Sequence, residues 1–114
     1  MPYRTQEVLE EWLRDFPGYG DELRGHVALQ DGSDGSDTGL VILRLRYATT
    51  GVFLQPVGRG DPRWEVVFEA RHDDLVSDAD GVDALGRELR LAAALCRHFE
   101  QKSRAYDGAL THDD

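Results

Sequence analysis

The segment from His72 to Asp74, with the sequence HDD, comes closest in this chain to catalytic chemistry. An imidazole beside two carboxylates can bind a metal ion or act as a general base. A metal site, however, needs three or four converging ligands, and no second histidine lies at ligand spacing from His72. The same triplet recurs at residues 112–114. We therefore expect a solvated loop at His72 and predict no catalytic residue, no metal site and no cofactor.

The aspartates between residues 73 and 83 do not have the spacing of a calcium-binding loop. An EF-hand loop needs oxygen ligands at positions 1, 3 and 5 and a glutamate at position 12. Counted from Asp78, position 12 is Leu89. The pairs Ser77 with Asp80 and Asp80 with Asp83 instead have the spacing of capping motifs, and acidic residues favour the N-terminal end of a helix. This segment therefore predicts helix initiation.

Glu88 is the one charge inside the apolar arc of the predicted C-terminal helix, near Leu85, Leu91 and Leu95. A partly buried acid can mark a functional site. Alternatively, its long side chain carries the carboxylate to the rim of the core or pairs it with an arginine. If a ligand pocket exists between the sheet and the helices, its titratable candidates are His72, Asp73 and Glu88.

The composition indicates a small acidic globular domain. The chain has 114 residues, of which 40% are hydrophobic and 31% are charged, and its formal net charge is −9. One domain is expected at this length. The single lysine, the absence of asparagine and the single isoleucine indicate a GC-rich genome, as in a GC-rich bacterium.

The acidic balance works against nucleic acid and anionic membranes as partners, because both are negatively charged. A local basic patch is the exception that would permit nucleic-acid binding, and it would use five arginines: Arg44, Arg46, Arg59, Arg63 and Arg71. No segment approaches the 18 or more apolar residues of a membrane helix, and no signal peptide follows Met1. The single cysteine, Cys96, cannot form an internal disulfide, so we expect a cytoplasmic protein.

Hydrophobic periodicity predicts a helix, four strands and a second helix. The predicted boundaries are 6–16 for the first helix, 25–30, 40–48, 52–57 and 64–70 for the strands, and 82–106 for the long helix. Short connections between consecutive strands favour an antiparallel meander. The predicted fold is α+β, a four-stranded antiparallel sheet with both helices packed on one face, in the order α-β-β-β-β-α. Residues 1–106 form the domain, and 107–114 form a flexible acidic tail.

Two helices cannot cover both faces of such a sheet, so one face is expected to remain open. Its predicted contact residues combine an apolar centre with a charged rim: Ile42, Arg44, Arg46, Phe53 and Val67. Charges on neighbouring antiparallel strands can simply pair in solvent. An apolar centre with a charged rim is also typical of a surface that meets a partner.

These observations favour a non-enzymatic protein-binding or chaperone-like accessory domain, acting as a homodimer through the open face or a strand edge. The first alternative is a small ligand-binding protein or enzyme with a pocket between sheet and helices. The second alternative is a regulatory protein associated with nucleic acid, which the acidic charge disfavours.

Overall fold

A computed structural model describes residues 5–20, 23–29, 39–58 and 61–111 of the chain. It confirms the predicted α+β fold, with a helix, four antiparallel strands in one sheet and a long second helix. The elements are α1 (Gln6–Arg14), β1 (Arg24–Leu29), β2 (Gly39–Arg44), β3 (Val52–Pro56), β4 (Trp64–Phe68) and α2 (Ala79–Thr111).

Helix α1 begins at a side-chain cap and ends before a glycine. The Thr5 Oγ1 accepts a hydrogen bond from the Val8 backbone N–H at 3.1 Å, as expected for an N-cap threonine. The helix ends at Arg14, two residues before the predicted end. Gly18 then has a φ of +89°, a left-handed conformation that glycine adopts without a Cβ clash, and it reverses the chain toward β1.

The sheet is a meander with the strand order β1-β2-β3-β4, and all three neighbouring pairs are antiparallel. Residues opposite one another share a face. One continuous row of opposed residues runs across the sheet through Val27, Val41, Leu54 and Val66. The predicted polar loop between β1 and β2 includes residues 31–38, which lie outside the described residues.

Strand β2 is shorter than predicted, because it ends at Arg44 rather than at Ala48. The backbone N–H groups of Arg46 and Tyr47 donate to the Glu88 carboxylate instead of to a neighbouring strand. The apolar and β-branched pattern of residues 40–48 predicts an extended chain, but it does not predict which acceptor the amides will find.

Helix α2 begins with a cap different from the two that its sequence suggests. Asp78 Oδ1 accepts a hydrogen bond from the Gly81 N–H at 2.8 Å, and the Asp78 carbonyl accepts from Val82. Asp78 is therefore the N-cap, rather than Ser77 or Asp80. The helix continues to Thr111, beyond the predicted end at residue 106.

The hydrophobic core lies between the two helices and one face of the sheet. It is formed by Leu9, Trp12, Leu13, Phe16, Leu23, Val27, Val41, Leu43, Val52, Leu54, Trp64, Ala92, Leu95 and Phe99. Phe99 of α2 sits between two indoles, with centroid distances of 4.9 Å to Trp64 and 5.8 Å to Trp12. Both contacts are edge-to-face, an arrangement that aromatic quadrupoles favour.

Helices α1 and α2 also contact each other through polar groups. The His98 Nε2 lies 2.8 Å from the Trp12 carbonyl oxygen, and Lys102 pairs with Asp15 at 3.3 Å. Neither helix of the described chain is long and apolar enough to cross a membrane.

Candidate functional site: the open face of the sheet

The face of the sheet turned away from the core has an apolar centre, as its alternating sequence predicts. Along β2 the burial alternates between buried and half-buried side chains up to Leu43. The half-buried residues Ile42 and Phe53 are opposed to each other across β2 and β3. We call this surface the open face.

The side chains of the open face form three rows that cross the four strands. The apolar row is set by the strand register and contains His26, Ile42, Phe53 and Val67. Two residues from the apolar row toward one end of the sheet lie Arg24, Arg44, Gly51 and Glu69, which we call the charged row. Two residues toward the other end lie Ala28, Leu40, Gln55 and Glu65, which we call the polar row.

Charge on the open face is divided between its two halves. Arg24 lies on β1 and Arg44 lies on β2. Glu65 lies on β4, and Glu69 is the residue after the end of β4. All four side chains are exposed. Glu65 accepts a hydrogen bond from the Gln55 amide at 2.6 Å. The two arginines and two glutamates cancel, so the open face is locally neutral although the chain carries −9.

Of the five predicted contact residues, the structure brings four together. Ile42, Phe53 and Val67 lie in the apolar row, and Arg44 lies in the charged row. Arg46 follows the end of β2, where its backbone N–H is bound by Glu88 at 2.7 Å. Arg46 therefore lies beyond the hydrogen-bonded part of β2 that aligns the other four predicted residues. Arg24 and His26 were missed, because Arg24 lies just before the predicted strand 25–30 and Gly25 gives no side chain to define the alternation between them.

Glu88 is a structural carboxylate inside the core. Its side chain is 4% exposed, and its two oxygens accept hydrogen bonds from the backbone N–H groups of Arg46 and Tyr47 at 2.7 and 3.0 Å. The sequence alternatives, a functional acid or a carboxylate at the rim or paired with an arginine, do not include this contact with the backbone. The carboxylate accepts from two consecutive part-buried amides after β2, in place of a neighbouring strand.

His72 and Asp73 line a cavity of about 330 Å³ together with Thr49, Thr50, Glu69 and Arg71. Arg71 closes one side of it by donating to both threonine hydroxyls, at 3.0 and 2.6 Å. Glu88 does not line this cavity, so the three titratable candidates are not brought together. Among the described residues, no group of histidine, cysteine, aspartate or glutamate side chains could hold a metal ion.

Two of the arginines suggested for nucleic acid are engaged with neighbouring side chains. Arg63 forms a salt bridge with Asp61 at 2.6 Å, and this pairing raises the pKa of the Arg63 guanidinium. Arg71 holds the two threonines, and Arg44 belongs to the open face. Arg59 lies outside the described residues.

Cys96 lies on the α2 face that packs toward β4. Burial raises the pKa of the Cys96 thiol, whose Sγ lies 3.5 Å from the Trp64 carbonyl oxygen. A thiol held in its neutral form is a poor nucleophile. Its role is that of a small core side chain, as its place on the apolar stripe predicts.

Comparison with known proteins gives no match to a family model, to a curated protein or to a solved structure.

Proposed function

We propose that this protein is a small non-enzymatic accessory domain that binds another protein chain through the open face. The observation that carries the proposal is the apolar row, in which Ile42, Phe53 and Val67 lie side by side with neither of the two described helices over them. Contiguous apolar side chains at the centre of a charged rim have the anatomy of a protein interface. Burying them against a partner would remove further apolar area from water.

A ligand-binding or enzymatic role receives less support. The cavity beside His72 lacks the third titratable group that the sequence offered, because Glu88 binds backbone amides elsewhere. Nucleic-acid binding is also disfavoured, since the net charge is −9 and two of the candidate arginines are engaged with neighbouring side chains.

We also propose a reducing cytoplasm as the working compartment. Cys96 is the single cysteine, it is free, and it is partly buried. A domain of this size with its own apolar core does not need disulfides for stability.

The proposal is tested by a binding comparison between three immobilised forms of the protein: wild type, Phe53→Glu and Val82→Glu. Val82 is 57% exposed on α2 and supplies a matched control, because the same charge is introduced on an apolar side chain away from the open face. Each form is exposed to extract of the native host, after circular dichroism has verified that all three are folded.

We expect the wild type and Val82→Glu to retain the same protein, and Phe53→Glu to lose it. Equal retention by all three forms would contradict the use of the open face. The retained protein is then purified and titrated against each of the three forms, because a direct interaction must persist between purified proteins.

A further inference from the structure

We propose that the partner is a second copy of this chain, packed face to face on the open face about a two-fold axis parallel to the strands. This inference rests on the proposed function, since it names the occupant of the same surface. Three features support it: the charge division of the open face, the position of Glu69 over Gly51, and the coverage of β4 by α2.

A two-fold dimer requires a surface that is complementary to itself. With the axis parallel to the strands, β1 of one copy lies over β4 of the other, and β2 lies over β3. Each row then faces the same row of the partner. In the apolar row, Ile42 faces the second copy's Phe53, and His26 faces its Val67. The two sheets remain nearly aligned, as in most packed sheet pairs.

The same operation matches opposite charges in the charged row. Arg24 comes to lie over Glu69 of the second copy, and Arg44 comes to lie over its Gly51. Each contact occurs twice by symmetry. The arginines of one half therefore meet the glutamates of the other half, so the charged rows themselves oppose no like charges across the contact.

Gly51 explains how Arg44 can reach a carboxylate in this arrangement. A Cβ placed on Gly51 would lie 2.6 Å from Glu69 Oε1, so the Glu69 side chain extends across the space that a larger residue would fill. The Glu69 carboxylate thus lies above Gly51, directly opposite the second copy's Arg44. Glycine at residue 51 leaves room for both side chains.

The other face-to-face axis, perpendicular to the strands, is electrostatically unfavourable. It would place each strand over its own copy and reverse the order of the rows. Glu69 would then face Glu65 of the second copy, and Arg44 would face Leu40. Like charges would be opposed on β4 while the arginines would have no carboxylate partner, which costs affinity at an interface.

Side chains of α2 occupy the first residue on the free edge of β4, which works against an edge-to-edge dimer at that point. The outward-pointing N–H of Trp64 donates to Glu100 Oε2 at 3.2 Å, and the Trp64 carbonyl oxygen accepts from Cys96. Two polar groups at the start of this edge are therefore already bound by helix side chains. Covering an edge in this way protects it against pairing with another strand.

The size of the open face predicts a weak dimer. Four strands spaced by about 4.8 Å and five residues rising by about 3.4 Å give roughly 19 by 17 Å. This projected area of roughly 320 Å² per copy is well below the ~800 Å² of a standard stable interface, even if side-chain relief doubles it. We therefore expect reversible association, with a dissociation constant on the order of micromolar or weaker.

The experiment is a charge-reversal pair measured by sedimentation equilibrium at low salt. In the two contacts between residues 44 and 69, Arg44→Glu alone opposes glutamate to glutamate, and Glu69→Arg alone opposes arginine to arginine. Each variant should associate at least about tenfold more weakly than wild type. An equimolar mixture of the two should form a heterodimer that is tighter than either variant alone and weaker than wild type, because both contacts between residues 44 and 69 regain opposite charge while one of the two Arg24 contacts faces an arginine.

Arg90→Glu and Glu11→Arg are the matched controls, since both residues are exposed on helices and each control makes the same charge change as one of the variants. Neither control should alter association, alone or mixed. If either charge reversal lowers the thermal midpoint, Arg44→Gln and Glu69→Gln are measured in its place. Both neutral variants should weaken the dimer, and unchanged affinity would overturn the pairing.

Failure of this inference is distinguishable from failure of the proposed function. A wild-type monomer throughout the micromolar to millimolar range overturns the dimer, while a different protein lost specifically from Phe53→Glu would still support the proposed function. If Phe53→Glu dissociates the dimer but the charge-reversed mixture associates no more tightly than either variant alone, the proposed two-fold axis is wrong. A dimer insensitive to Phe53→Glu overturns this inference, whereas equal retention of a host protein by wild type and Phe53→Glu overturns the proposed function.

Discussion

The covered face and the open face are built on the same four strands, and neighbouring residues of one strand belong to different faces. Leu54 points into the core and is 0% exposed, whereas Phe53 beside it is only half-buried. The strand backbone is common to both, so the difference lies in what is packed above each residue. The covered face has two helices over it, and neither helix of the described chain packs on the open face.

Polar groups on the two faces differ in the same way. Glu88 and Ser103 are buried residues of α2, and their side chains accept hydrogen bonds that are part-buried at Glu88 and buried at Ser103. On the open face, Gln55 and Glu65 form an exposed hydrogen bond that solvent can replace. Burial makes a polar contact costly to lose, and exposure makes it exchangeable. An exchangeable surface is the one suited to reversible binding.

The largest expected effect comes from truncating Leu54 and Phe53 separately. Leu54→Ala should lower the free energy of unfolding by about 2–5 kcal/mol, because it leaves a cavity in the core. Phe53→Ala should lower the free energy of unfolding by about 1 kcal/mol, since neither described helix packs against the Phe53 side chain. Urea denaturation at low micromolar concentration measures both. Equal losses would show that the two faces are equally packed in the monomer.

The second prediction concerns Glu88. Glu88→Ala should lower the free energy of unfolding by about 2–3 kcal/mol, because two part-buried amides lose a charged acceptor. Glu88→Gln keeps the shape but presents an NH₂ group to one of those amides, so it should rescue only part of the loss. Hydrogen exchange should accelerate at Arg46 and Tyr47 in both variants. Unchanged exchange at these two amides would contradict the assigned role.

The sequence predicts the local features of the fold well and the long-range polar contacts poorly. Thr5 caps α1 through a residue three positions away, and alternation along β2 correctly separates Val41 from Ile42. The end of β2 depends on Glu88, which is 42 residues from Arg46 in the chain. A hydrophobic pattern carries no information on such a partner.

On the open face, too, some features follow from local periodicity and others depend on the pairing of distant residues. The placement of Ile42, Phe53 and Val67 on one surface follows from two-residue periodicity and short turns. The charged row depends on the exact register between strands, because a shift of one residue would move every side chain of the shifted strand to the other face. The space over Gly51 that Glu69 occupies is visible only once that register is known.

The smallest expected effects come from one hydrogen bond on each side of the sheet. Ser103→Ala removes the hydroxyl that accepts from Trp64 Nε1 at 2.8 Å inside the core, and it should cost about 1–2 kcal/mol. Gln55→Ala removes the exposed bond to Glu65 and should cost less than about 0.5 kcal/mol. Trp64→Phe combined with Ser103→Ala isolates the buried bond, because Phe retains most of the ring while removing its donor. A coupling energy near zero in that double-mutant cycle would mean that the indole N–H does not depend on Ser103, and the contrast between buried and exposed polar contacts would then rest on Glu88 alone.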